Sequence, residues 1–93
     1  MRIQDLTPEW RTELIAPVAE GVLVADVEEE SPAAKAGIRR GDIIVGFAGA
    51  EVGRPIDLLM TIDRTPIGME QELKFIRDGK ELSVSVVLEE MPF

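Results

Sequence analysis

Ninety-three residues suit one small domain, and 45% apolar residues beside 30% charged ones suit a soluble globular one with a modest core. Eighteen Asp and Glu against ten Lys and Arg leave a net charge of −8, which repels phosphate backbones and anionic lipid and argues against a nucleic-acid or membrane-surface partner. With no cysteine and no histidine the chain has no disulfide, no thiolate nucleophile, no zinc–thiolate site and no Ser-His-Asp triad, so no catalytic residue, metal site or cofactor is expected.

From the N-terminus, Arg2 to Leu6 alternates, with Ile3 on one face and Arg2 and Gln4 on the other, as in a short edge strand. Thr7-Pro8-Glu9 then reads as a helix start. Thr is the cap, Pro sits at the first position, and an acid in the first turn suits the helix dipole. Trp10, Leu14 and Ile15 fall at helical spacing, with Trp10 expected as a packing residue of the core or its rim. Pro17 stops this segment. Val22, Leu23, Val24 and Val27 supply one central strand, and Ile43, Ile44, Val45 and Phe47 a second. Between them Ser31 caps a helix of one or two turns, Pro32 fits its first position and Gly37 ends it, after which Gly41-Asp42 turns the chain back to the sheet. The acidic run Glu28 to Glu30 lacks the alternating oxygen spacing of a calcium loop and reads as a solvated turn.

A tight turn at Ala48 to Glu51 leads to the segment Arg54 to Asp63, a helix with Pro55 near its start and Leu58, Leu59 and Ile62 at helical spacings. Its apolar residues exceed one narrow stripe. One stripe faces the sheet, and Leu59 with part of Ile62 is left over, as a wider core contact or as a groove wall. Thr65 to Gly68 ends the helix. Leu73 to Arg77 and Leu82 to Leu88 flank Asp78-Gly79, a two-residue hairpin turn whose central positions require positive φ. Leu82, Val84, Val86 and Leu88 are expected on the buried face. Apolar runs are too short to span a bilayer, and the N-terminus lacks a signal-peptide pattern.

Four stretches carry a resemblance to a known family: RIQDLTPE at 2 to 9, GVLVADVEEESPAAKAGIRRGDIIVGFAG at 21 to 49, DLLMTI at 57 to 62 and LKFIRDGKELSVSV at 73 to 86. The chain resembles the PDZ domains of bacterial HtrA/Deg serine proteases over nearly all its length, most specifically in SPAAKAGIRRGDII. The resemblance implies a mainly β fold with two helices, a partly open barrel of five or six strands capped by two α-helices, as a single domain over 1–93 belonging to a longer protease. It also implies a non-catalytic module that binds extended or C-terminal peptide segments by strand addition. The receiving edge is then Met1 to Leu6 and the opposite wall the helix at 55 to 63, with Met1, Ile3, Pro55, Leu59 and Ile62 in the groove.

The family's carboxylate-binding loop, an apolar pair, Gly and a third apolar residue, is represented here only by its last position, Met1, so carboxylate binding is expected to be weakened. The implied partners are apolar-ended peptides and a protease domain in cis, for substrate capture or regulation in a bacterial periplasm or cell envelope. Two alternatives stand beside this. One is an assembly or regulatory domain whose groove is filled by a neighbouring chain or by its own Met91-Pro92-Phe93 tail. The other is a PDZ domain of a processing peptidase, intramembrane protease or secretion-system component.

Overall fold

The apolar runs become strands and the capped segments become helices in the computed structural model, which describes residues 1–90. In chain order the elements are β1 (Arg2–Asp5), α1 (Pro8–Glu13), β2 (Val22–Asp26), α2 (Pro32–Ala36), β3 (Ile43–Phe47), β4 (Ala50–Glu51), α3 (Pro55–Arg64), β5 (Glu70–Arg77) and β6 (Lys80–Val87). The Met91-Pro92-Phe93 tail, considered above as a groove occupant, lies outside the described residues.

All strand pairs are antiparallel, and the order is β1-β2-β3-β5-β6 with β4 beside β3. The sheet does not close, because β1 and β6 end the order without pairing to each other. It carries three short helices where the resemblance implied two. The additional one, α1, forms because Thr7 Oγ1 accepts from the Trp10 amide at 3.2 Å and Pro8 pre-sets the first turn, although none of its side chains is buried.

β2 and β3 read as unbroken apolar runs because both of their faces are covered. Val22, Val24, Ile44 and Phe47 join Ala33, Ile38, Leu58, Leu73, Phe75 and Val86 in the main core, over which α2 and α3 lie. Leu23, Ile43 and Ile76 form a smaller cluster on the other face, covered by Leu6, Leu14, Ala16 and Val18 from the segments flanking α1. Each fully buried side chain of this size contributes roughly 2 kcal/mol of transfer free energy.

The two helix ends flanking β2 share one geometry. At α2 the amides of Gly37 and Ile38 donate to the carbonyls of Ala34 and Ala33, both at 3.0 Å, with Gly37 at φ 94°. This is a Schellman end, with glycine in the left-handed conformation it tolerates best. At α1 the amides of Ile15 and Ala16 donate to the carbonyls of Thr12 and Arg11 at 3.2 and 2.9 Å, but here the left-handed residue is Ile15, at φ 52° and 80% exposed. The helical spacing of Trp10, Leu14 and Ile15 therefore does not extend to Ile15. The helix has ended, Pro17 being unable to continue it. Trp10 sits at the rim, 42% exposed.

β5 and β6 pair over eight consecutive positions through the Asp78-Gly79 turn, at φ 53° and 76°. Burial rises along β6 away from that turn: Leu82 is 41% exposed, Val84 partly buried, Val86 and Leu88 buried. One long-range ion pair ties the hairpin to the 21–49 segment. Arg77 Nε and Nη2 donate to Asp42 Oδ1 and Oδ2 at 2.8 and 2.6 Å, and Arg77 Nη2 also reaches the carbonyl of Gly37 at 2.8 Å. Asp42, 2% exposed, accepts from the Arg39 amide as well, at 2.8 Å. The hydrogen bond to Asp42 holds the Arg77 guanidinium pKa above its ordinary value; desolvation opposes this, and the charges of Asp42 and Asp78 add to it.

Candidate functional site

α3 owes its position to local chemistry at its start. Pro55 occupies the first turn, and Asp57 Oδ2 accepts from the amides of the capping residue Arg54 at 3.0 Å and of Gly53 before it at 3.2 Å, tying the incoming chain to the first turn. Leu58, fully buried, and Thr61, 7% exposed, then face the core, Thr61 Oγ1 donating to the Asp57 carbonyl at 2.8 Å. Ile56, Leu59 and Met60 remain about half exposed, at 50, 54 and 52%. The apolar surplus read in this helix is thus real. It extends to Ile56 and Met60, which the sequence reading assigned no role, although a segment apolar nearly all round carried the signal.

β1 is the element facing α3. It pairs with β2 along one side only, in the register Ile3↔Val24, Gln4↔Leu23 and Asp5↔Val22, with an irregularity between Arg2 and Ile3. Its other side is a sheet edge with unpaired backbone groups, the feature that an extended segment can extend by another strand. Ile3 lies on the core side, partly buried, while Arg2, Gln4 and Asp5 are exposed.

Of the five residues expected in a groove, Met1, Ile3 and Ile62 are brought together, each partly buried against the main core. Leu59 stands three residues before Ile62 and four after Pro55, hence on the same helical face, and is exposed where the other four are partly buried. Pro55 is half-buried at the helix start. None of the five borders either of two concavities elsewhere on the domain. One, about 550 Å³, lies between the loop before β2 and the β3–β4 turn, around Val18, Glu20, Val45, Val52 and Lys74. The other, about 510 Å³, lies around Leu14, Ile15, Arg39, Ile43 and Ile76. The β1–α3 surface is an open shelf beside a sheet edge, and strand pairing needs an edge rather than an enclosed cavity. Among the described residues no group of three or more acidic side chains is placed to hold a metal ion, and no helix is long and apolar enough to cross a membrane.

Known proteins are similar to this chain in sequence and in fold. The family model for the PDZ domain matches residues 2–88. A probable periplasmic serine endoprotease DegP-like of Rickettsia prowazekii is 43% identical over 84 residues, covering 90% of this chain and 16% of that protein. The protein of the same name in Hahella chejuensis is 40% identical over 90 residues, covering 97% and 19%. The HtrA-type protease AlgW with decapeptide superposes with a TM-score of 0.84 at 26% identity, over 98% of this chain and 29% of that one. The HtrA3 PDZ domain bound to the phage-derived ligand FGRWV superposes with a TM-score of 0.80 at 26% identity, over 96% and 82%. The chain spans less than a fifth of the length of these two curated relatives. On the match across residues 2–88 and on these relatives, the chain belongs to the PDZ domain family, in the form carried by HtrA and DegP-like serine proteases.

Proposed function

We infer that this domain binds extended peptide segments by adding them as a strand to the outer edge of β1, with their alternate side chains against Met1, Ile3, Pro55, Leu59 and Ile62. The observation that carries this is the pairing of a free sheet edge with a facing helix that holds Leu59 54% exposed on the face it shares with Pro55 and Ile62. An apolar side chain held half in water beside unpaired backbone donors and acceptors suits a partner that brings both a backbone and an apolar residue. That HtrA-type relatives were solved with a decapeptide and with FGRWV favours the same reading.

In the longer protein the module serves substrate capture or regulation of a serine-protease domain in cis, within the bacterial periplasm. This rests on the names of the relatives. The affinity of the isolated module is micromolar, about 8 kcal/mol at the standard state.

A titration of the isotope-labelled chain with apolar-ended pentapeptides tests the reading. Progressive amide shifts at Ile3, Leu59 and Ile62 are expected. Absence of any shift at these three across a peptide library would overturn it.

A further inference from the structure

β6 gives the sheet a second free edge, and it is built differently from the first. β1 has four residues and an irregular register; β6 has eight, paired to β5 without interruption and, among the described strands, to no other. The two-residue turn makes Arg77 and Lys80 a hydrogen-bonded pair, so Lys80, Leu82, Val84 and Val86 direct their backbone groups to β5. Glu81, Ser83, Ser85 and Val87 direct theirs outward, and all four residues are exposed. Native edges are ordinarily blunted by proline, a bulge or charge. From Leu82 to Leu88 this strand has none of the three. α2 lies against β6, and Lys35 Nζ meets Glu89 Oε1 at 2.8 Å beyond its end.

We propose that β6 is a self-association edge, where two copies of the chain pair β6 to β6, antiparallel, about a two-fold axis at Val84. The sequence of the edge selects this occupant and this register. Among antiparallel self-pairings, this one places all four outward-facing residues opposite outward-facing partners: Glu81 against Val87 and Ser83 against Ser85, each twice. The other face then sets Leu82, 41% exposed in the single chain, against Val86 of the second copy, and Val84 against its own equivalent. Between Lys80 and Leu88 no like charges stand directly opposite, and Lys80 falls opposite Leu88. The contact is uncharged from Leu82 to Leu88, so the −8 charge of each copy acts mostly across distances that salt screens. This interface is separate from the β1–α3 groove and does not depend on the function proposed for it.

Sedimentation equilibrium on the full chain, with concentration-dependent amide exchange, tests the pairing. A dimer is expected whose formation slows exchange of the Glu81, Ser83, Ser85 and Val87 amides, while those of Leu82 and Val84 are protected at every concentration. Two double variants fix the register. Ser83→Lys with Ser85→Lys sets lysines opposite each other twice and is expected to weaken the dimer about tenfold, even though net charge falls from −8 to −6 (−8 + 2). Ser83→Lys with Ser85→Glu leaves the net charge at −8, sets opposite charges across the axis and is expected to tighten it. Leu59→Asp is expected to leave it unchanged. A chain that stays monomeric to about 1 mM overturns the proposal. So does a dimer indifferent to the two double variants, or one whose outward β6 amides gain no protection.

Discussion

The segment from Gly21 to Gly49 and the two elements that flank the groove are made to different standards. In the first, β2 and β3 are covered on both faces, α2 is capped by Ser31 and ended by Gly37, and Asp42 is buried with its charge answered by Arg77. In the second, β1 buries no side chain fully and α3 buries only Leu58 and Thr61 while keeping three apolar residues half exposed. Stability is concentrated where buried polar groups have partners, and the proposed recognition edge lies where backbone and apolar surface are left without one. A binding edge cannot be self-sufficient, since a satisfied edge has nothing to offer a peptide.

The largest effect is expected where the well-satisfied segment is pinned to β5. Arg77→Met leaves the Asp42 carboxylate buried with only the Arg39 amide against it, and should cost about 3 kcal/mol in urea unfolding at neutral pH. The folded-state pKa of Arg77 is raised, so its contribution is whole below the ordinary guanidinium pKa and is lost only as pH rises through the raised one. The difference between wild type and Arg77→Met should therefore stay constant across neutral and mildly alkaline pH. A difference that shrinks there would mean that the pair is not what links β5 to the 21–49 segment.

Next in size is the α2 end. A Cβ built on Gly37 meets nothing within 4 Å, so the penalty for Gly37→Val comes from backbone conformation alone, about 1–2 kcal/mol for a β-branched residue at φ 94°. Gly37→Asn, which tolerates that region better, should cost clearly less. Equal losses in the two variants would point to some origin other than the left-handed conformation.

The α1 end reverses the sign. It makes the same two hydrogen bonds with Ile15 where α2 has Gly37, and Ile15 is so exposed that little packing is lost with it. Ile15→Gly is expected to stabilise the fold by about 1 kcal/mol. These two ends also show what could be read from the sequence. Ser31-Pro32, Gly37 and Asp78-Gly79 announced their elements because backbone conformation restricts which residues can stand there. The end of α1 was missed because it uses a residue that gives no such signal. The Arg77–Asp42 pair was out of reach for another reason: it joins residues far apart in the chain, and no local pattern encodes which charges meet. At the groove the sequence showed that α3 had more apolar surface than one core contact needs. It could not divide that surface, since adjacent leucines look alike until packing buries Leu58 fully and leaves Leu59 at 54%.

That division gives the comparison its finest test. Leu59→Asp is expected to change unfolding free energy by no more than about 0.5 kcal/mol, because the side chain is already half in water and the substitution sits on an exposed helix face. Peptide affinity should fall at least tenfold, about 1.4 kcal/mol, because an aspartate beside the apolar shelf of Met1, Ile3 and Ile62 must be desolvated by any apolar ligand side chain that docks there. The two readouts separate the alternatives. Stability lost together with binding would put Leu59 among the core contacts of α3, and the free edge of β1 would then lack its apolar wall. Both quantities left unchanged would move peptide recognition away from α3 altogether. Only unchanged stability with lost binding is what a half-exposed leucine beside an unpaired strand should give.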